Sequence, residues 1–258
     1  MNRRIPAIAF STFREAVRDR VLYNLIFFVL LLVASAPLFG QISVGIERIF
    51  LINLGLSAIS IFGIVIAIFI GIGLVSKEIE KKTLYTVLSR PVRRWEFIIG
   101  KYFGLAGTLV VNTFLMSVGF YTALLLLTRH LGRSEANILV AIYFIVLQFL
   151  IITAITLLFS SFSTPIESAV YALAMFIVGS FAEDLRGFAA IAHGPQAWLA
   201  RAASYAVPNL GALNVVTRVS HDQIIPGSLI GMNTVYALFY VAVIVSGAVM
   251  IFEFRDLK

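Results

Sequence analysis

Cysteine is absent from the 258 residues, so the chain has no disulfide framework, no Cys-based metal site and no thiol nucleophile. Charge is sparse as well: charged residues make up 13% of the chain and hydrophobic ones 60%, against about 25% and about 45–50% in an average soluble domain. The three histidines, His130, His193 and His221, lie far apart and show no metal-ligand spacing. No G-x-x-x-x-G-K-[ST] phosphate loop occurs, because Gly100-Lys101 follows Ile98-Ile99 without the upstream glycine that such a loop needs. No Asp, Glu, Lys, Arg or His stands near the middle of any long apolar run, which is unlike a proton relay, where ionisable groups are retained in the membrane despite their cost. Acid pairs, Ser/His sets and metal clusters that would serve a membrane enzyme are missing from those runs too.

What is present is a succession of long apolar stretches: Val21 to Phe39, Ile49 to Val75, Tyr102 to Thr128, Asn137 to Phe159, the shorter Ile166 to Phe181, and Leu229 to Phe252. A crossing needs about 20 apolar residues, so six helical spans are expected and the chain reads as an all-α integral membrane protein forming a single transmembrane domain over 1–258. A closed barrel would need strands of about ten residues that alternate apolar and polar, and these runs are continuously apolar. Gly63, Gly71 and Gly73 would let the second span approach a neighbouring helix closely.

The basic residues sort by loop. The amino end carries Arg3, Arg4, Arg14, Arg18 and Arg20, the segment after the second span carries Lys77, Lys81, Lys82, Arg90, Arg93, Arg94 and Lys101, and the carboxyl end carries Arg255 and Lys258. The other side holds Arg48, Arg129, Arg133, Arg186, Arg201 and Arg218. The positive-inside rule therefore puts both termini in the cytoplasm, with the chain multi-pass in the cytoplasmic membrane. Placement at span ends, beside anionic lipid heads, also accounts for the net charge of +7 without any nucleic-acid partner. No cleavable signal precedes Val21, and residues 1–20 read instead as an amphipathic elbow helix with Phe10, Phe13, Val17 and Val21 on one stripe.

Between the second and third spans, residues 76–101 need water or a protein surface. Ser76 to Leu88 shows helical spacing, Arg90 precedes Pro91 and is pushed out of the α region, and a new helix starts near Arg93. Residues 183–228, on the external side, are too long for a plain connection; their apolar pieces, Phe188 to Ala192 and Ala197 to Val207, are broken by Gly187, Gly194, Pro195 and Pro208. Irregular backbone exposed to lipid is costly, so short re-entrant helices are expected there before the sixth span. Asn53, Asn112, Gln148, Thr153 and Thr156 fall inside spans, where they either line a path or hydrogen-bond between helices.

The run Glu78 to Lys101, with its acid, Thr83-Leu84, Leu88, Pro91-Val92, Arg94, Phe97 and Gly100-Lys101 in order, resembles the cytoplasmic signature of type-2 ABC exporter permeases. Tyr205-Ala206-Val207-Pro208-Asn209-Leu210, followed by Asn214, His221 and Pro226, resembles the loop before the last span in the permeases of multicopper-enzyme maturation systems, including that serving nitrous-oxide reductase. The chain departs from the pattern at Lys82, where many members have glycine, and at Arg93, where many have serine. The resemblance implies a homodimer of permease chains docked on two cytoplasmic ABC ATPase subunits. ATP and Mg would bind in those partners and not in this chain. Glu78, Glu80, Leu84, Tyr85, Leu88, Arg90, Pro91, Arg94, Phe97 and Lys101 would meet the ATPase, and Tyr205, Pro208, Asn209, Leu210 and Asn214 would belong to an external gate. A reading of another class, a membrane scaffold that recruits cytoplasmic partners without moving a solute, fits the same composition, and a neighbouring gene for a phosphate-loop ATPase would separate the two.

Overall fold

The computed structural model describes residues 4–18, 47–80, 93–128, 135–191, 194, 198, 201–202 and 207–254. The expected first span, Val21 to Phe39, therefore lies outside the described residues, as do Leu84, Tyr85, Leu88, Arg90, Pro91 and Tyr205. Every regular element among the described residues is helical: α1 (Arg4–Arg18), α2 (Glu47–Glu80), α3 (Arg94–Thr128), α4 (Glu135–Ser160), α5 (Pro165–Ser180), α6 (Ala182–Ile191), a 3-10 turn Gly211–Leu213, α7 (Val216–Ser220) and α8 (Gly227–Phe254).

Four of these helices, α2, α3, α4 and α8, are long and apolar enough to cross a membrane. The expected fifth span is a broken element, since α5 and α6 meet at a 58° bend and make a span only as a pair. Sixteen residues of α5 rise about 24 Å at 1.5 Å per residue, short of the roughly 30 Å hydrocarbon core. Pro165 opens α5 at its first position, and the Glu167 carboxylate accepts the Thr164 N–H at 3.0 Å.

The bundle has two ends. One holds α1, the start of α3 and the end of α8, which we call the near end; the other, the far end, holds the starts of α2 and α8 together with the turn Gly211–Leu213 and α7. The α4 helix is the centre, with Phe144, Phe149, Ile151 and Ile152 essentially inaccessible. Two of the α2 glycines meet α4: a Cβ at Gly63 would collide with the Phe149 ring, and one at Gly71 would lie 2.9 Å from Thr156 Cγ2, whereas Gly55 meets Phe120 of α3.

α1 packs on α3 with a face that takes in only Phe13 of the described part of the expected apolar stripe. Ile8, Thr12 and Phe13 meet α3 at Gly100, Gly104 and Gly107, and Ala16 is buried, while Phe10 is 67% exposed. The reason is size. A Cβ at Gly104 would lie 2.6 Å from the Ala9 carbonyl oxygen and 2.6 Å from Thr12 Cβ, so only small residues on both helices permit this approach. Phe10 and Val17 are left on the outer face as apolar surface.

Candidate functional site

At the near end the first turn of α3 ties three helices together. Arg93 precedes the helix, and its backbone N–H donates to Glu96 Oε2 at 3.0 Å, which satisfies one of the amides that a helix start leaves open. Arg4 of α1 approaches the same oxygen at 3.8 Å. On the other side, Arg94 Nη1 donates to the carbonyls of Phe252 at 3.2 Å and Glu253 at 2.9 Å, both in the last turn of α8. A cation there also meets the negative end of the helix dipole. The Phe97 ring stacks on Phe252 with centroids 5.9 Å apart and planes 18° from parallel, and Lys101 Nζ lies 5.5 Å from the Phe97 centroid.

Three residues of the expected ATPase contact set, Arg94, Phe97 and Lys101, sit in this junction. Phe97 is 4% exposed and Lys101 3% exposed, so both are spent inside the chain, where an apolar ring and an alkyl stem pack at a helix junction. Arg94 is half-buried against α8. The backbone of Glu78 and Glu80 belongs to the last turns of α2, and the intervening 81–92 lie outside the described residues.

At the far end, residues 207–214 are gripped by their main chain. Gln148 Nε2 on α4 donates to the Leu210 carbonyl at 3.2 Å, and the Leu210 N–H donates to Gly179 O on α5 at 3.0 Å. Asn233 Nδ2 on α8 donates to Ala212 O at 3.3 Å, and the Tyr236 hydroxyl accepts the Asn209 N–H at 2.8 Å. Pro208, Asn209 and Leu210 are buried, and a Cβ at Gly179 would lie 2.9 Å from Pro208 O, so glycine is what lets the segment seat on α5. Asn209 Oδ1 accepts the Ala212 N–H at 3.2 Å, and the exposed Asn214 accepts the Val216 N–H at 3.3 Å, folding the segment on itself. Arg48 pairs with Asp222 at 3.5 Å across the same end, and Asp222 holds a positive φ of 56° in the turn after α7.

The model of the ABC-2 family transporter protein matches residues 7–257, nearly the whole chain. The chain belongs to the ABC-2 transporter family. No curated protein matches it. An ABC-2 chain is the multi-pass membrane subunit of an ABC transporter, a transport component that works with an ABC ATPase.

The five span residues proposed as path-lining separate in this ABC-2 chain. Thr153 and Thr156 donate to the Phe149 and Ile152 carbonyls of their own helix, at 2.7 and 2.8 Å. Gln148 serves the far-end segment, and Asn53 is half-buried on α2. Asn112, buried in α3, donates to Met116 Sδ at 3.4 Å, and its carbonyl oxygen has no partner among the described residues. Tyr236 was not a sequence candidate. A tyrosine among aliphatic residues in an apolar helix carries no positional signal, and only the fold brings it to Asn209.

Gln148→Leu tests the far-end grip. The Leu210 carbonyl keeps a second bond, from the Leu213 N–H at 3.1 Å, so the loss is one neutral hydrogen bond, about 0.5–1.5 kcal/mol. The thermal midpoint of the purified protein should fall by about 2–4 °C per kcal/mol. An unchanged midpoint would show that the bond contributes nothing to the fold.

Proposed function

We propose that this chain is the permease subunit of an ATP-driven exporter in the cytoplasmic membrane, with both termini in the cytoplasm, acting as a C₂ homodimer on two ATPase subunits that bind ATP and Mg. We also assign it to the permeases of multicopper-enzyme maturation systems, on the Tyr205 to Pro226 stretch. One observation carries the transport reading: residues 81–92, the core of the signature segment, run from the end of α2 to the start of α3, and that start is bonded to both α1 and α8. A pull on the segment therefore acts on a junction of helices and not on a free loop. Glu78, Glu80, Leu84, Tyr85, Leu88, Arg90 and Pro91 remain the ATPase contacts in this reading, with apolar side chains filling a groove and charges setting register. Residues 207–214 serve as the external gate, opening away from α5 and α8.

Homodimerisation follows from enclosure, because one bundle of this size cannot easily wall a two-sided path, and isologous pairing is the simplest closed solution. Purification in mild detergent or nanodiscs should yield a particle of two permease chains and two ATPases that hydrolyses ATP. A chain that leaves the membrane with no ATPase and supports no hydrolysis would favour the scaffold instead.

A further inference from the structure

α8 is anchored at its two ends by different partners. At the near end, one guanidinium nitrogen of Arg94 holds two successive carbonyls of its last turn, and Phe252 of the same turn carries the stacked Phe97 ring. At the far end, Asn233 and Tyr236 hold the main chain of Ala212 and Asn209, and Thr234 shares a 2.7 Å hydrogen bond with Tyr143 of α4. Between the anchors the helix is mostly apolar surface, with Leu238, Phe239, Val243 and Met250 exposed. No proline interrupts its 28 residues, and an unbroken helix of that length spans about 42 Å as a single stiff rod.

The geometry points to α8 as a strut that carries displacement of the α3 base to the segment at 207–213, with Arg94 and Tyr236 as its two positioning residues. This inference rests on the transport reading and adds to it the route, which the second and third spans alone do not supply. The route is made of directional bonds. Arg94 moves with the first turn of α3 and grips α8 by its backbone, so α8 follows that turn; Tyr236 and Asn233 grip the far segment by its backbone, so the segment follows α8. An arginine suits the near end because it stays charged and its donors are fixed in a rigid fork.

The test is hydrogen exchange in the permease–ATPase complex in nanodiscs, nucleotide-free and trapped with Mg-ATP and vanadate. Two regions are read: the near-end amides of 94–102 and the far-end amides of 209–213. In the native complex both should respond to nucleotide. In Arg94→Ala and in Tyr236→Phe the near-end response should persist while the far-end response shrinks by about fivefold or more, the low end of ordinary coupling between sites. A far-end response that survives in either variant overturns the strut. No response at either end in the native complex would instead overturn the transport reading. If Arg94→Ala does not assemble, Tyr236→Phe, which keeps the ring and removes one hydroxyl, carries the test alone.

Discussion

The double variant Leu84→Asp, Leu88→Asp is expected to reach the membrane and purify without its ATPase. The two leucines are four apart, so they share one face of the helical pattern that follows α2. Placing a carboxylate in an apolar groove costs several kcal/mol per ion, and each 1.4 kcal/mol is tenfold in affinity, so two together should weaken docking by well over a hundredfold. Insertion should be intact, because the apolar stretches that drive it, such as Arg48–Ile72 and Ala136–Ser160, are untouched. The measurement is the ATPase-to-permease ratio after affinity purification, with Arg133→Ala, on the opposite side of the expected topology, as control. A full complement of ATPase on the double variant would remove 81–92 from the interface.

The second large effect is expected at Gly104→Leu. Here the obstacle is backbone, the Ala9 carbonyl oxygen 2.6 Å from the position a Cβ would take, with Thr12 Cβ at the same distance. A side chain can be met by a rotamer change, but a carbonyl held in a helix yields only if the helix moves. Overpacking of this kind costs about 1–3 kcal/mol or more, and α1 makes most of its packing on α3, so α1 should come away. Exchange at the amides of residues 6–16 should rise at least about tenfold, since 1.4 kcal/mol suffices for that, while α4 stays protected. Equal exchange in variant and parent would mean that the seam can repack.

Much of the bundle was legible because lipid solubility writes itself into composition. The runs that became α2, α3, α4 and α8 needed only length and continuous apolarity, and the observed spans of α2, α4 and α8 end within a few residues of the expected ones, whereas α3 starts at Arg94 and not at the expected Tyr102. The α5–α6 bend was not legible as a bend, only as a run too short to cross. The inward face of α1 is only partly legible for a physical reason: Phe10 and Val17 announce a stripe, but helices approach through their smallest residues, here Ala9 and Thr12 against Gly104. Arg94, Phe97 and Lys101 were legible as important and not as internal, because a basic cluster beside a break reads the same whether its charges face a partner or their own chain. The far-end seat was half visible: Asn209, Leu210 and Gln148 stood out as polar or irregular features, whereas Tyr236 and Gly179 acquire their roles only when α8 and α5 close around the segment.

The contact at Gly63 also bears on how a tilt of α2 would be shared between its two ends. α2 has 34 residues, about 50 Å at 1.5 Å per residue, and Gly63 lies at its midpoint, where the Phe149 ring fills the space a Cβ would take. A rod that tilted about this contact would have two nearly equal arms of about 25 Å. Tilting the rod by about 10° would carry each tip some 4 Å, in opposite directions. An inward push at Glu80 is thereby matched by an outward swing of similar size at Glu47, beside the Arg48–Asp222 pair, with neither leverage gained nor lost across the membrane.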